Sequence, residues 1–207
     1  MAKKPLNIRS KIIEAALKCT LEVGWRAVSL RMIAATAGIS LGKLYVNYPS
    51  KTAIVAAIMD ETTSTVIDRT ELSTLAEPTH DRLLDTILRR FDSMEVHKAA
   101  ITSILRDTMF DPLGALSLFP RFLNAMTWTL ESAGVGTVGL AGKLRVKGLA
   151  TIYLAALCVW IDDDTPDLAK TMAFLDRRLK QAIRLSTFLP FGVAENHIGK
   201  KYDSFGL

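Results

Sequence analysis

Residues 29–51, SLRMIAATAGISLGKLYVNYPSK, contain two short apolar-periodic segments separated by a glycine. Ser29 precedes the first segment and Ser40 precedes the second. Serine is a favoured N-cap because its hydroxyl accepts a hydrogen bond from a free backbone N–H of the first helical turn. Gly38 follows the first segment, a position that glycine fills at low cost because it adopts positive φ. The stretch therefore predicts two short helices joined by a tight turn.

Two short helices joined in this way form a helix-turn-helix unit, whose second helix enters the major groove of DNA. The small Ala34 lets the helices cross closely, and Leu44 supplies an apolar contact between them. A helical hairpin that only packs is the alternative interpretation. The serine caps, the glycine and the outward cations together favour DNA binding. The residues predicted to face outward are Leu41, Gly42, Lys43, Asn47 and Lys51.

The distribution of charge supports this interpretation. Residues 1–51 hold nine lysines and arginines against two glutamates, a net charge of +7. The rest of the chain holds 17 basic and 19 acidic residues, a net charge of −2. All of the basic excess lies in the first quarter of the chain, as expected of a phosphate-binding surface on an otherwise neutral body.

The run Ser40-Leu41-Gly42-Lys43-Leu44-Tyr45, with Tyr48 and Ser50-Lys51 after it, resembles the recognition-helix signature of the TetR family of bacterial transcription regulators. The resemblance covers residues 9–51. Two departures are Asn47, where the family commonly has a histidine, and Thr20-Leu21 in place of a leucine-phenylalanine pair. The resemblance implies an operator of double-stranded DNA, a homodimer and a small effector. The predicted DNA-binding residues are Ser29, Arg31, Ser40, Leu41, Gly42, Lys43, Tyr45, Asn47, Tyr48 and Lys51.

The remaining sequence predicts helices throughout, because no alternating strand-like run with hairpin signals appears in it. The expected fold is all-α and TetR-like. Residues 1–51 are predicted to form the DNA-binding domain, and residues 52–207 a helical domain for ligand binding and dimerisation. A linking helix is expected from Ser50 to about Thr70. Asp111 to Gly114 and Gly134 to Thr137 are expected to be breaks.

The last two predicted helices indicate a dimer. Residues 140–161 are apolar on nearly all sides, so that helix must be covered all round. Thr165 is expected to cap the next helix, with Pro166 in its first position. An intrachain bundle is the alternative, but TetR proteins dimerise through their last two helices, and the resemblance favours a partner. The predicted interface residues are Gly148, Ile152, Leu168, Met172, Leu175 and Leu179.

A second resemblance covers roughly residues 143–185. The runs at 160–165 and 170–179 are similar to the carboxy-terminal domain of the lipid-binding accessory protein of ubiquinone biosynthesis, which shares the TetR fold. This resemblance implies the rival function, a lipid- or isoprenoid-binding accessory protein without sequence-specific DNA binding.

A set of large apolar side chains lies in the middle of the chain. An ordinary packed core is the plain interpretation of such residues. The TetR resemblance favours a cavity for an effector, and the scarcity of charges in these segments favours an apolar effector. The candidate ligand-binding residues are Phe110, Phe119, Phe122, Met126, Trp128, Tyr153 and Trp160.

Catalytic and metal sites find no support in the sequence. The three histidines are far apart, and the acidic residues at 162–164 and 167 lack the alternating pattern of a calcium loop. We therefore expect no enzyme activity, no cofactor and no metal. Cys19 and Cys158 are interpreted as buried, reduced thiols of a cytoplasmic protein. The longest apolar run has 14 residues, too short to span a bilayer.

Overall fold

A computed structural model describes residues 7–68 and 77–187, and within these ranges the chain forms nine helices and no strand. The predicted all-α class is therefore confirmed. The predicted end of the linking helix near Thr70 and the segment after residue 187 lie outside the described residues. The helices are α1 (Ile8–Val23), α2 (Leu30–Thr36), α3 (Leu41–Asn47), α4 (Lys51–Asp68), α5 (Thr79–Glu95), α6 (Lys98–Met109), α7 (Pro112–Ser132), α8 (Gly139–Ile161) and α9 (Ala169–Thr187).

The first three helices pack around a small apolar core. Ile12 on α1, Ile33 on α2 and Leu44 on α3 are each no more than 1% exposed. Burying a side chain of this size stabilises the fold by about 1.5–3 kcal/mol. This core fixes the angle at which α3 is presented.

Helix α4 links this domain to the body, because it packs against α1 on one side and against α5 and α7 on the other. Its start is capped by Ser50, whose hydroxyl oxygen accepts a hydrogen bond from the backbone N–H of Ala53 at 3.0 Å. A second connection joins the α1–α2 loop to α6, since the backbone N–H of Trp25 donates to the Ser103 hydroxyl at 3.0 Å. Helix α4 and the Trp25–Ser103 hydrogen bond therefore connect the first three helices to the body.

Helix α8 lies at the centre of the body and packs between α7 and α9. Tyr153, Ala156 and Trp160 on its inner side are at most 4% exposed. By length and composition alone α8 is apolar enough to cross a membrane, but a single helix of this kind is weak evidence of a span, because core helices of soluble proteins pass the same test. Packing against α7 and α9 accounts for the apolar residues on its buried side.

The predicted break at Asp111 to Gly114 is present but shorter than expected, because α6 ends at Met109 and α7 already begins at Pro112. The Asp111 carboxylate caps α7 by accepting a hydrogen bond from the Gly114 N–H at 2.9 Å. The predicted start of the last helix is wrong. Helix α9 begins at Ala169 rather than Pro166, since Leu168 adopts a positive φ of 52°. The turn at residues 96–97, which separates α5 from α6, contains no glycine or proline that would mark it in the sequence.

The loop between α8 and α9 is held by the buried carboxylate of Asp163. One carboxylate oxygen accepts hydrogen bonds from the hydroxyl and backbone N–H of Thr165, and the other accepts both from Thr171 at 2.8 Å. Burial alone raises the pKa of Asp163, but these hydrogen bonds outweigh it and hold the pKa far below its usual range. Asp163 was predicted to place a negative charge at the start of a helix. Instead its carboxylate ties Thr165 in the loop to Thr171 on α9.

Candidate nucleic-acid interface

Helix α3 presents one side to solvent at the surface of the first domain. Tyr45 is 68% exposed and Val46 is 82% exposed, while the preceding residue, Leu44, is buried on the side of α3 that packs against α2. Leu41, Gly42 and Lys43 at the start of α3 are also exposed. The first residues of a recognition helix are the ones that contact base edges. The arrangement therefore matches the requirements of major-groove binding.

The predicted local structure of the helix-turn-helix is present. The Ser29 hydroxyl accepts a hydrogen bond from the Met32 N–H at 3.2 Å, and the Ser40 hydroxyl accepts one from the Lys43 N–H at 3.3 Å. Gly38 has a φ of +66°, the left-handed conformation that a side chain would strain. Both serines and Arg31 are exposed. Local hydrogen bonding thus sets the geometry of the turn.

Three of the predicted DNA-binding residues have structural contacts instead of free outward positions. The Lys51 ammonium donates to the backbone carbonyl of Trp25 at 2.5 Å and lies 4.6 Å from the centroid of the Trp25 ring. Burial lowers the pKa of Lys51, partly offset by Asp107. Tyr48 is only 9% exposed, and the Asn47 amide donates to the Lys43 carbonyl at 2.8 Å. The outward placement of Lys51 is therefore corrected.

The surface cations of this domain remain available for phosphates. Of the seven basic residues described between residues 7 and 51, six are exposed and Lys51 is half-buried. Val46 was absent from the predicted contacts, although its helical position beside Tyr45 would have identified it. A valine side chain is suited to contact with a thymine methyl group. The exposed basic residues are Arg9, Lys11, Lys18, Arg26, Arg31 and Lys43.

The predicted ligand-binding residues divide into two groups. Tyr153 lies 6.0 Å from Phe122 and 5.1 Å from Phe91 between ring centroids, and Trp160 lies 5.7 Å from Phe91. Met126 is fully buried nearby in the same core. These residues pack together inside the body, and their role as an effector site stays a prediction.

The other three predicted ligand-binding residues lie at the surface. Phe119 is 47% exposed, Trp128 is 48% exposed and Phe110 is 82% exposed. Phe110 lines an open cleft of about 320 Å³ between the first domain and the body, together with Trp25 and Lys51. Phe110 and Trp128 are not part of the aromatic group around Tyr153, and their assignment to one common cavity is corrected. Phe119 remains connected to that group through Phe122, at 6.5 Å.

The predicted dimer residues also divide. Leu168, Leu175 and Leu179 are at most 3% exposed within the protomer, so they pack in its own core and cannot supply an interface. Gly148 is exposed, Met172 is 41% exposed, and Ile152 is half-buried against the core. The apolar stripe of α9 faces inward because the body needs it to cover α8 and α5.

The exposed side of α8 is uncharged from Gly148 to Cys158. We call this surface the α8 face; its exposed residues are Gly148, Thr151, Leu154, Ala155 and Cys158. Leu154 is 49% exposed. Cys158, predicted to be buried, lies on this face, whereas Cys19 is buried as predicted. Spacings of three and four residues place these positions along one side of the helix.

Metal binding has no candidate in the described residues, where no group of three or more histidine, cysteine, aspartate or glutamate side chains could hold an ion. Asp162, Asp164 and Asp167 are exposed, while Asp163 is occupied by its hydrogen bonds. In this loop Asp163 therefore stabilises the fold, and the other three aspartates are exposed to solvent.

Comparison with known proteins assigns family resemblances to two parts of the chain. Residues 12–58 match the profile described as "Bacterial regulatory proteins, tetR family". Residues 146–186 match the COQ9 profile. Both matches fall on the segments of sequence that carry the two resemblances. No curated protein matches the chain.

Solved structures share the fold over most of the chain. The TetR transcriptional regulator from Nitrosomonas europaea is 22% identical, with a TM-score of 0.71 over 84% of this chain and 97% of that chain. A TetR transcriptional regulator from Rhodococcus sp. is 18% identical, with a TM-score of 0.65 over 84% of this chain and 94% of that one. GusR from Salmonella enterica is 21% identical, with a TM-score of 0.56 over 88% of this chain and 97% of that chain. These similarities show that the fold is TetR-like.

Proposed function

We propose that this chain, which combines a TetR-type helix-turn-helix domain with a TetR-like fold, is a transcriptional repressor that binds a palindromic operator as a homodimer and is released by a small effector. The observation that carries the proposal is the exposed side of α3, with Lys43, Tyr45 and Val46 presented beside a cationic surface. Phosphate contacts by the surrounding cations would position the helix, and contacts of α3 with bases would specify the sequence.

The α8 face supports the homodimer. It offers an uncharged, partly apolar surface on a helix whose other side is already covered, and the same face on a second copy makes a self-complementary contact. Two helices from each copy would then form a four-helix interface, with α9 contributing Met172 at its edge. A two-fold dimer would present its two α3 helices to successive half-sites roughly 34–36 Å apart.

Helix α4 supports the proposed release mechanism, because its contacts reach both the DNA-binding domain and the body. Lys51 at its start holds the α1–α2 loop, and Asp60 in its middle pairs with Arg121 on α7. An effector that favours a different position of α4 would change the separation of the two α3 helices. Operator affinity would then fall by the ratio of effector affinities for the two states, typically about 5–150-fold.

The rival function is a lipid-binding accessory protein with the same fold. The match of residues 146–186 to the COQ9 profile favours it, because that match covers α8 and most of α9. An accessory protein of this kind would bind its lipid equally well with or without DNA. It would show only weak attraction to duplexes, independent of their sequence.

Selection of bound fragments from the genome that encodes the chain separates the two functions. A repressor should enrich a palindromic sequence, and one near its own gene would identify the regulated site. The protein should then bind that sequence at least 1,000-fold more tightly than scrambled duplex, on the order of the usual specific-to-non-specific ratio. Enrichment of no common sequence, with equal affinity for all duplexes, would leave the accessory function.

Substitution of Lys43 tests the phosphate contacts of α3. Lys43→Ala should weaken operator binding and reduce the slope of log affinity against log salt by about one, the change expected for one lost phosphate contact. Lys51→Ala is the matched comparison, because its ammonium is bound to the Trp25 carbonyl. That variant should keep the parent slope and melt at a lower temperature. Equal slopes for Lys43→Ala and the parent would show that Lys43 makes no phosphate contact.

A further inference from the structure

Arg90 on α5 is a buried cation in the middle of the body. Its side chain is 3% exposed, although arginine is rarely buried without a partner. One terminal nitrogen donates to the hydroxyl of Thr63 on α4 at 3.1 Å. The guanidinium carbon lies 5.6 Å from the centroid of the Tyr153 ring on α8. Arg90 thus lies where α4, α5 and α8 meet.

No carboxylate balances this charge within the described residues. Ion pairs there involve Arg89 and Arg121, among other cations, but none involves Arg90. Its Nε is buried and has no hydrogen-bond partner. Burial raises the pKa of the Tyr153 hydroxyl more than Arg90 lowers it, so this hydroxyl stays neutral at neutral pH. Thr63 and Tyr153 therefore supply polar contacts and no negative charge.

A buried guanidinium without a counter-ion is costly, because arginine keeps its charge in proteins and loses its hydration on burial. Breaking a buried ion pair by removing one partner destabilises proteins strongly for the same reason. Replacing such a cation with an apolar side chain of similar size would relieve this cost. An anion that binds Arg90 would most directly compensate this buried charge. The fork of the guanidinium matches the two oxygens of a carboxylate.

The surroundings of Arg90 indicate what such an anion is attached to. Tyr153 stacks on Phe91 at 5.1 Å and lies 6.0 Å from Phe122, and both neighbours are apolar. Phe122 lies 6.5 Å from Phe119, which is 47% exposed. A continuous series of aromatic rings therefore runs from the surface at Phe119 to the buried cation. An apolar body with one anionic end matches this arrangement.

We propose that Arg90 binds the carboxylate of an amphipathic organic acid, whose apolar part lies along Tyr153, Phe122 and Phe119. This inference rests on the proposed function, in that the acid would be its effector. It replaces the expectation of an uncharged, apolar effector, because the sequence does not reveal that Arg90 is buried. The position also suits regulation. Arg90 contacts Thr63 on α4, the helix that carries the DNA-binding domain. An acid bound to Arg90 would therefore change the hydrogen bond between Arg90 and that helix.

Binding of paired acids and alcohols tests the proposal. Dodecanoate and 1-naphthoate, with dodecanol and 1-naphthalenemethanol as neutral counterparts, are titrated into the parent, Arg90→Met and Arg89→Met chains. Arg89 is the matched control, since it lies next to Arg90 but pairs with Asp85 at 2.7 Å on the surface. At least one acid should bind the parent at least ten-fold more tightly than its alcohol. Arg90→Met should lose at least ten-fold in acid affinity, while Arg89→Met should match the parent.

Thermal melting of the same variants distinguishes binding from a structural role. Without acid, Arg90→Met should melt at or above the parent temperature, because an uncompensated buried charge has been removed. The acid that binds the parent should raise its melting temperature and leave that of Arg90→Met unchanged. Equal acid affinity in the two chains, or no acid binding to the parent below about 1 mM, overturns the proposal.

The outcome is separable from that of the proposed function. Acid binding through Arg90 without any effect on operator affinity would retain the site and remove its regulatory role. Sequence-specific DNA binding without acid binding would retain the regulator and remove the acid. Measuring operator affinity of the parent with and without the bound acid distinguishes these cases. A change in operator affinity on adding the acid that occurs in the parent and not in Arg90→Met supports both the acid site and the proposed function.

Discussion

The Gly148→Glu variant is expected to be a folded monomer whose affinity for a palindromic operator is at least about 100-fold lower than that of the parent. A Cβ added at Gly148 meets no atom within 4 Å, so the protomer accommodates the new side chain. In the proposed dimer, however, the glutamate would be buried on the uncharged α8 face without a partner. Each monomer would then bind one half-site without the gain that linkage of two half-sites provides. Sedimentation measures the mass, and fluorescence anisotropy with labelled operator measures the affinity.

Gly136→Glu is the matched control. A Cβ at Gly136 also meets no atom within 4 Å, and this residue lies in the loop between α7 and α8. The control should remain dimeric with operator affinity close to that of the parent. Leu175→Glu cannot serve the same purpose, because Leu175 is fully buried in the protomer and its replacement should unfold the chain. A Gly148→Glu chain that sediments as a dimer at micromolar concentration would exclude the α8 face as the interface.

The Asp163→Ala variant is expected to lose about 3 kcal/mol in the free energy of unfolding at neutral pH, since several hydrogen bonds to a buried charged group disappear together. The loss should propagate to the start of α6, because the Lys98 ammonium on α6 donates to the Asp163 backbone carbonyl at 2.5 Å. The Trp160 indole N–H beside it donates to Glu95 at 2.7 Å. Urea unfolding followed by far-ultraviolet circular dichroism measures the change.

The pH dependence of this effect has a defined sign. The hydrogen bonds hold the pKa of Asp163 in the folded chain below that in the unfolded chain, so its contribution is fully present above the unfolded pKa of about 4. It is lost as the pH falls through the folded pKa. The difference in unfolding free energy between parent and Asp163→Ala should therefore stay constant from pH 7 to about pH 4 and shrink at lower pH. Asp164→Ala, at an exposed neighbour, should change stability by less than about 0.5 kcal/mol at any pH. A difference between parent and Asp163→Ala that stays constant below about pH 4 would contradict the assigned role of the carboxylate.

Expectations that depend on neighbours in sequence agree with the structure. Ser29 and Ser40 cap α2 and α3, and Gly38 takes a positive φ, because each of these features is decided within three or four residues of chain. The apolar composition of residues 140–161 likewise indicated a long helix, and α8 spans Gly139–Ile161, although one side of it is exposed in the protomer rather than covered. The resemblance of residues 9–51 to the TetR family agrees with the family match over residues 12–58, because the family pattern is a property of these same local residues.

Expectations that depend on which elements pack together fared less well. The stripe of Leu168, Leu175 and Leu179 has the spacing of a contact surface, but spacing does not state whether the surface faces the same chain or a second copy. Lys51 has the charge expected of a residue that contacts phosphate, yet its ammonium donates to the Trp25 carbonyl on a loop distant in sequence. Both errors arise because one helical side can be covered by several different neighbours.

The sequence by itself determined the helical class, the helix-turn-helix and its caps, since these follow from short-range hydrogen bonding and apolar periodicity. Only the tertiary structure decided that the α8 face is the uncovered one and that Arg90 is a buried cation without a carboxylate partner among the described residues. Burial and charge compensation depend on groups distant in sequence, and Thr63, Arg90 and Tyr153 meet only when three helices pack.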